Sequence, residues 1–207
     1  MKDALPILKK KVKVDTYITF VMAILMFSMA GVSTFNAIRY GMMNADRFEI
    51  REVDVSDSSS PEEIGLYIDG ELSSLGDESI ARSITTPDYT NPKYPFVINK
   101  VIEAIRLIFM GLILSVVYAI FCTIQSGSTP FSKKCVNYLR VVALLTILLG
   151  VVPSTAHIIL NFIIYNASYV QINPVQLFIV LLGVVIGMIS EIYRYGTALQ
   201  DDIDSIA

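Results

Sequence analysis

The residue types that could do chemistry are few in this chain, and the most unusual is a lone histidine. His157 is the only histidine, and Asn161 follows it by four residues, on the same face of a helix. Pro153, one turn earlier, removes a backbone donor, which leaves a carbonyl group for nearby polar side chains to satisfy. A proton relay needs a second titratable group, and a metal site needs several His, Cys or carboxylate ligands. The surrounding sequence supplies neither, so we predict that His157 and Asn161 are structural polar residues that hydrogen-bond inside the membrane.

Signatures of enzymes are missing from the sequence. The patterns HExxH, GxSxG, GxxxxGK[ST] and GxGxxG, which mark metal, acyl-transfer, nucleotide and dinucleotide sites, do not occur. Cys122 and Cys135 form no CxxC pair, and we expect them to be reduced packing residues without a disulfide. The sequence therefore predicts no catalytic residue, no metal site and no cofactor.

Four long apolar stretches, one of which contains His157 and Asn161, place the chain among the polytopic membrane proteins. They cover residues 17–38, 107–124, 141–165 and 175–192, and they contain no Lys, Arg or Asp. A helix needs about 20 mainly apolar residues to cross the hydrocarbon of a bilayer. Charged residues make up only 17% of the chain, whereas a soluble domain has about 25%. We predict an all-α membrane protein, a four-transmembrane-helix bundle.

The basic residues predict that both termini are cytoplasmic. Five lysines precede the first span and Lys133, Lys134 and Arg140 precede the third, and basic residues close to span ends favour the cytoplasmic side. The predicted segments are a basic cytoplasmic N-terminus (1–15), the first span (16–39), an acidic extracytoplasmic loop (40–98), the second span (99–125), a cytoplasmic connection (126–140), the third span (141–166), a short outer loop (167–173), the fourth span (174–193) and a cytoplasmic tail (194–207).

The loop between the first two spans is predicted to fold as a small strand-plus-helix cap. Residues 48–55 alternate apolar and polar side chains, as a half-buried strand does. Ser60 and Pro61 are typical of a helix start, and an apolar stripe follows at Ile64, Tyr67, Ile68 and Leu72. The loop has twelve acidic and four basic residues between positions 41 and 96. This charge suits either a surface that binds a cation or basic peptide, or a solvated acidic cap.

Small residues recur four positions apart in the spans. Gly183 and Gly187 form such a pair in the fourth span, and this spacing lets helix backbones approach closely. We predict helix packing within the chain, with a homodimer through the fourth span as the alternative.

Two segments resemble a known family. One holds Pro130, Phe131, Asn137, Leu139 and Arg140 before the third span; the other holds Gly196, Leu199, Gln200 and Asp202 after the fourth. In these positions the chain resembles the bacterial membrane family catalogued as domain of unknown function 2975. The resemblance implies a four-span inner-membrane protein, often encoded beside a small helix-turn-helix regulator, and it implies no reaction.

The expected function is therefore binding or regulation at the membrane. Both segments are predicted to face the cytoplasm, where a soluble regulatory protein would dock. The candidate docking residues are Pro130, Phe131, Asn137, Arg140, Gly196, Leu199 and Asp202. The expected partners are the lipid bilayer, a cytoplasmic regulator and, alternatively, a second copy of the chain, with no direct contact to nucleic acid. Two other classes remain open: an immunity or envelope-stress protein whose acidic loop meets a cationic peptide, and an accessory subunit of a transporter.

Overall fold

Four long helices make up most of the protein. The computed structural model describes residues 4–53, 63–75, 91–126, 132–165 and 174–206. Within these ranges the helices are α1 (Ala4–Met42), α2 (Lys93–Gln125), α3 (Lys133–Tyr165) and α4 (Pro174–Ile206). Each is long and apolar enough to cross a membrane. The predicted all-α architecture with four membrane-spanning helices is confirmed, together with a small region of strands.

The helices are longer than the spans predicted for them. α1 has 39 residues and α4 has 33, which correspond to about 58 Å and about 50 Å at 1.5 Å per residue. The hydrocarbon of a bilayer is only about 30 Å thick. Both helices therefore continue well past the membrane boundary, and α4 runs without a break through Gly196. Gly196 therefore lies inside α4, and the tail predicted over 194–207 continues the helix of the fourth span as far as Ile206.

Small side chains form the buried face of α1. Thr16, Ala23, Ala30 and Ala37 are buried at intervals of seven residues, the spacing at which a helix presents one seam to its neighbours. The ring of Phe27 lies against Gly111 of α2, where a Cβ would come within 2.9 Å of it. Small residues on the seam let the neighbouring backbone approach closely, while the large apolar side chains of α1 face outward.

α3 and α4 pack antiparallel through two glycines. A Cβ on Gly183 would lie 2.9 Å from the backbone nitrogen of Ile147 and 3.0 Å from the carbonyl oxygen of Ala143. A Cβ on Gly150 would lie 3.0 Å from the carbonyl oxygen of Gln176 in α4. Gly183 therefore allows α4 to pack closely against α3 within the chain. Gly187 is less constrained, because its nearest neighbour would be the Cβ of Ala143 at 3.8 Å.

The loop between α1 and α2 contains a three-stranded antiparallel sheet. β1 (Phe48–Val53) pairs with β2 (Glu63–Ile68), and β2 pairs with β3 (Glu71–Leu75). The strand predicted from position 48 is confirmed. The helix predicted after Ser60 and Pro61, which lie outside the described residues, is wrong where the structure describes it, because positions 63–75 form a hairpin.

The turn at Asp69 and Gly70 explains the hairpin. Both residues have positive φ, 56° and 81°, as a tight two-residue hairpin turn requires, and Asp-Gly is a strong signal for such a turn. Ile64, Leu66 and Ile68 alternate along β2, and Leu66 and Ile68 are buried. The apolar stripe that suggested a helix is therefore divided between two strands.

The chain divides into two compact units. One comprises Met1–Ala30, Ile105–Ser154 and Gln171–Ala207; the other comprises Gly31–Ala104 and Thr155–Val170. The second unit contains the sheet and its core of Phe48, Leu66, Ile68 and Phe96, with Tyr40, Met43 and Ile50 packed against it. The first unit contains the contacts between α3 and α4 that form the candidate site.

Candidate docking surface

An ion-pair cluster joins the beginning of α3 to the later part of α4. Arg140 donates to Oε1 of Glu191 from Nε at 3.1 Å and from Nη2 at 2.6 Å. Arg194 lies three residues after Glu191 and pairs with Oε2 at 2.9 Å. We call Arg140, Glu191 and Arg194 the α3–α4 clasp. Its carboxylate is shared by two guanidinium groups, which leaves the clasp with a formal charge of +1.

The clasp is open to its surroundings. The side chains of Arg140, Glu191 and Arg194 are 42%, 43% and 56% exposed. An exposed ion pair contributes only about 0.2–1 kcal/mol to stability, so the clasp stabilises the contact between α3 and α4 only weakly. A binding partner with charged groups can therefore compete for it at small cost.

The same compact unit contains a second polar contact between helices. Gln125, the last residue of α2, lies 2.6 Å through its Nε2 from Oγ1 of Thr16 near the beginning of α1. Thr16 Oγ1 in turn donates to the carbonyl oxygen of Val12 at 2.7 Å. This contact joins α1 to α2 as the clasp joins α3 to α4.

The helix that contains the third span begins within the segment predicted as the cytoplasmic connection. The backbone nitrogen of Cys135 donates to Oγ of Ser132 at 3.3 Å, so Ser132 caps α3, which starts at Lys133. Asn137 lies one turn before Arg140 and is exposed. Pro130 and Phe131 lie outside the described residues.

The predicted segment after the fourth span is helical as far as Ile206. Gly196, Leu199 and Asp202 all lie in α4, which ends at Ile206. We call residues 194–206 the α4 extension. Leu199 is exposed, whereas Thr197 is buried and its Oγ1 donates to the carbonyl oxygen of Tyr193 at 3.0 Å. The structure thus brings Arg140 to the base of the α4 extension through Glu191.

The intramembrane polar pair lies in the other unit. Asn161 is buried, and its Nδ2 donates to the carbonyl oxygen of His157 at 2.9 Å and lies 3.1 Å from Nδ1 of the His157 ring. Over the described part of the chain, no group of three or more His, Cys, Asp or Glu side chains is placed to hold a metal ion. These residues offer hydrogen bonding along α3.

Glu191 and Arg194 are the two site residues that sequence reasoning did not select. Their three-residue spacing at the end of an apolar span was a signal for a local ion pair. The contact of Glu191 with Arg140, 51 residues away along the chain, depends on how α3 and α4 pack. No spacing rule within one helix predicts that contact.

Comparison with known proteins identifies the family. The protein-family model described as "Protein of unknown function (DUF2975)" matches residues 80–206. This segment includes α2, α3, α4 and every residue of the clasp. No curated protein and no solved structure matches the chain. Because the match covers more than half of the 207 residues, the resemblance is confirmed, and the chain belongs to the protein family of unknown function DUF2975.

Proposed function

We propose that this protein is a non-enzymatic regulatory protein of the bacterial inner membrane that holds a soluble partner at its cytoplasmic face. The partner we favour is a small helix-turn-helix transcription regulator. One observation supports the proposal: the clasp joins Arg140, which belongs to the first family segment, to Glu191 and Arg194 of α4, just before the second family segment. A partner that binds one segment therefore meets the other.

The orientation follows from charge. The segment before the apolar part of α1 contains Lys9, Lys10, Lys11 and Lys13, and α3 begins with Lys133 and Lys134. Basic residues at these positions favour the cytoplasmic side. With four spans, the α4 extension emerges on that same side, where a soluble DNA-binding protein is available.

Truncation tests the proposal. We expect the chain that ends at Tyr195 to insert normally, because all four apolar spans are intact. From mild detergent, the full chain should co-purify with a soluble DNA-binding protein, and the truncated chain should not. The transcripts controlled by that protein should change in the truncated strain.

A length-matched control distinguishes the helical structure of the α4 extension from the mere presence of eleven residues at positions 196–206. In it, positions 196–206 are replaced by a flexible Gly-Ser chain of equal length, and it should behave like the truncation. If both variants retain the same soluble partner and the same transcript levels as the full chain, the proposed function is wrong.

A further inference from the structure

The outward face of α4 stays apolar after the helix has passed the clasp. Ile192, Tyr195 and Leu199 are 67%, 66% and 64% exposed. They are spaced by three and four residues, so they lie on one face of the helix. Ile203 and Ile206 continue this spacing in the α4 sequence. We call Ile192, Tyr195 and Leu199 the outward stripe.

The outward stripe extends the face that meets lipid. Phe178 and Met188 are exposed to a similar degree and lie fourteen and four residues before Ile192, on the same side of the helix. Within the bilayer, such a face needs no protein neighbour. Outside the bilayer, an exposed apolar face marks an interaction site.

Helix length shows where α4 leaves the bilayer. From Pro174 to Glu191 the helix rises about 26 Å, which is close to the hydrocarbon thickness of about 30 Å. We therefore place the charged clasp at the membrane boundary. The twelve residues from Tyr195 to Ile206 rise about 18 Å beyond it.

The negative charge of the α4 extension limits which kind of molecule can cover the outward stripe. After Arg194 the α4 sequence contains Asp201, Asp202 and Asp204 and no Lys or Arg. The same acidic segment on a second copy would repel it, and so would a bilayer surface rich in anionic lipids. An amphipathic helix with basic flanks matches both the apolar face and the aspartates.

We propose that the α4 extension binds a basic amphipathic helix of the soluble partner. The apolar side chains of that helix lie on the outward stripe, and its Lys or Arg side chains face the aspartates of the α4 extension. This inference rests on the proposed function, since it names the chemistry of the partner that docks there. It gives α4 two roles: a membrane span before the clasp and a docking helix after it.

A peptide experiment tests the inference without the natural partner. The full chain is placed in nanodiscs of zwitterionic phosphatidylcholine. The probe is a fluorescent 18-residue Leu-Lys peptide with leucines on one helical face, and binding is followed by anisotropy with empty nanodiscs as background. We expect at least tenfold tighter binding than for a scrambled peptide of the same composition, which presents no apolar face.

Adjacent substitutions supply the matched control. Leu199→Glu places a charge on the outward stripe and should weaken peptide binding at least tenfold. Ala198→Glu adds the same charge one residue away, at an exposed position off the stripe, and should change binding less than threefold. Equal binding of the two variants, or of the ordered and scrambled peptides, would overturn the inference.

Charge reversal tests the aspartates separately. The variant with Lys at positions 201, 202 and 204 should lose the basic peptide and gain a Leu-Glu peptide of the same pattern. Failure of this exchange would show that charge does not select the partner helix.

A spectroscopic measurement tests the membrane surface as the other occupant. The chain has no tryptophan, so Tyr195→Trp introduces a single indole. We expect water-exposed emission in nanodiscs and a blue shift when the Leu-Lys peptide is added. Emission that is already blue-shifted without peptide would overturn the inference, because the stripe would then lie in lipid.

The two proposals fail in different ways. If truncation after Tyr195 abolishes capture of the natural partner but the peptide experiments fail, only the amphipathic-helix inference is wrong. If the peptide binds the outward stripe but truncation leaves partner capture and transcripts unchanged, the proposed function is wrong.

Discussion

Glu191 is the residue that joins the first family segment, through Arg140, to α4. It is the only carboxylate between the start of α4 and Arg194, and it pairs with one guanidinium group from α3 and one from α4. Arg140 alone would leave a positive charge at the beginning of α3, where Lys133 and Lys134 already lie. Glu191 therefore reduces repulsion among cations while it joins α3 to α4.

A double-mutant cycle measures this coupling. We expect Arg140→Gln and Glu191→Gln each to destabilise the folded protein slightly, with a coupling free energy of roughly 0.2–1 kcal/mol because the pair is exposed. Unfolding in micelles of increasing SDS content gives the four free energies. Strictly additive effects of the two substitutions would contradict the ion pair as a source of stability.

His157 provides a second test at this scale. We expect His157→Gln to retain hydrogen bonding with Asn161 and to preserve function, since Gln also offers a donor and an acceptor. His157→Leu should lower the free energy of unfolding by roughly 0.6–2 kcal/mol, the range for hydrogen bonds between polar side chains in membranes. Loss of function in a stably folded His157→Gln protein would instead indicate that the ring must titrate.

At the scale of helices, the contact between α3 and α4 depends on two positions without side chains. We expect Gly150→Ala and Gly183→Ala to destabilise the protein by about 1–3 kcal/mol, the usual cost of overpacking. The added methyl group would meet backbone atoms of the neighbouring helix at 2.9–3.0 Å, and backbone cannot give way as a side chain can.

Gly187→Ala is the matched control for these two variants. It makes the same chemical change, in the same helix as Gly183→Ala, but its nearest contact would be an ordinary 3.8 Å. We expect unchanged or slightly raised stability, because Ala is the better helix former. Equal destabilisation at positions 183 and 187 would show that helix propensity rather than packing controls the result.

The sequence predicts elements with one strong local pattern better than elements with two competing patterns. The four spans are predictable because a long apolar run in a bilayer forms a helix, which satisfies its own backbone hydrogen bonds. In the loop, Ile64, Tyr67, Ile68 and Leu72 fit a helical stripe, yet Asp69 and Gly70 specify a turn. The turn prevails, because the strand before it buries Leu66 and Ile68 against Phe48 and Phe96.

The candidate site is only partly predictable for a similar reason. Arg140, Leu199 and Asp202 were selected from local motifs, and they lie on or beside the surface that α3 and α4 form. The continuation of α4 as a helix was missed, since Gly196 and three nearby aspartates lower local helix propensity. The contact of Arg140 with Glu191 requires the antiparallel register of two helices, which no single segment encodes.

At the scale of the whole molecule, topology is the property that every functional proposal depends on. We expect Ser73, exposed on β3, to face the outside and Ser205 to face the cytoplasm. Single cysteines at these positions, in a chain with Cys122 and Cys135 replaced by Ala, can be labelled with an impermeant maleimide. In intact spheroplasts, the position 73 variant should react and the position 205 variant should react only after lysis. The opposite pattern would invert the orientation and remove the α4 extension from the cytoplasm.

The core beneath the sheet has a consequence for biosynthesis. Phe96, in the first turns of α2, lies with its ring centroid 5.2 Å from that of Tyr40 and 6.3 Å from that of Phe48. Lys93 Nζ also reaches the carbonyl oxygen of Met43 at 2.5 Å, just past the end of α1. During translation the strands emerge before Phe96 and Lys93 exist. The apolar face of the sheet therefore stays uncovered until the ribosome has synthesised the beginning of α2. A chain arrested before Pro92 should leave the loop sensitive to proteases, and a chain arrested after α2 should protect it.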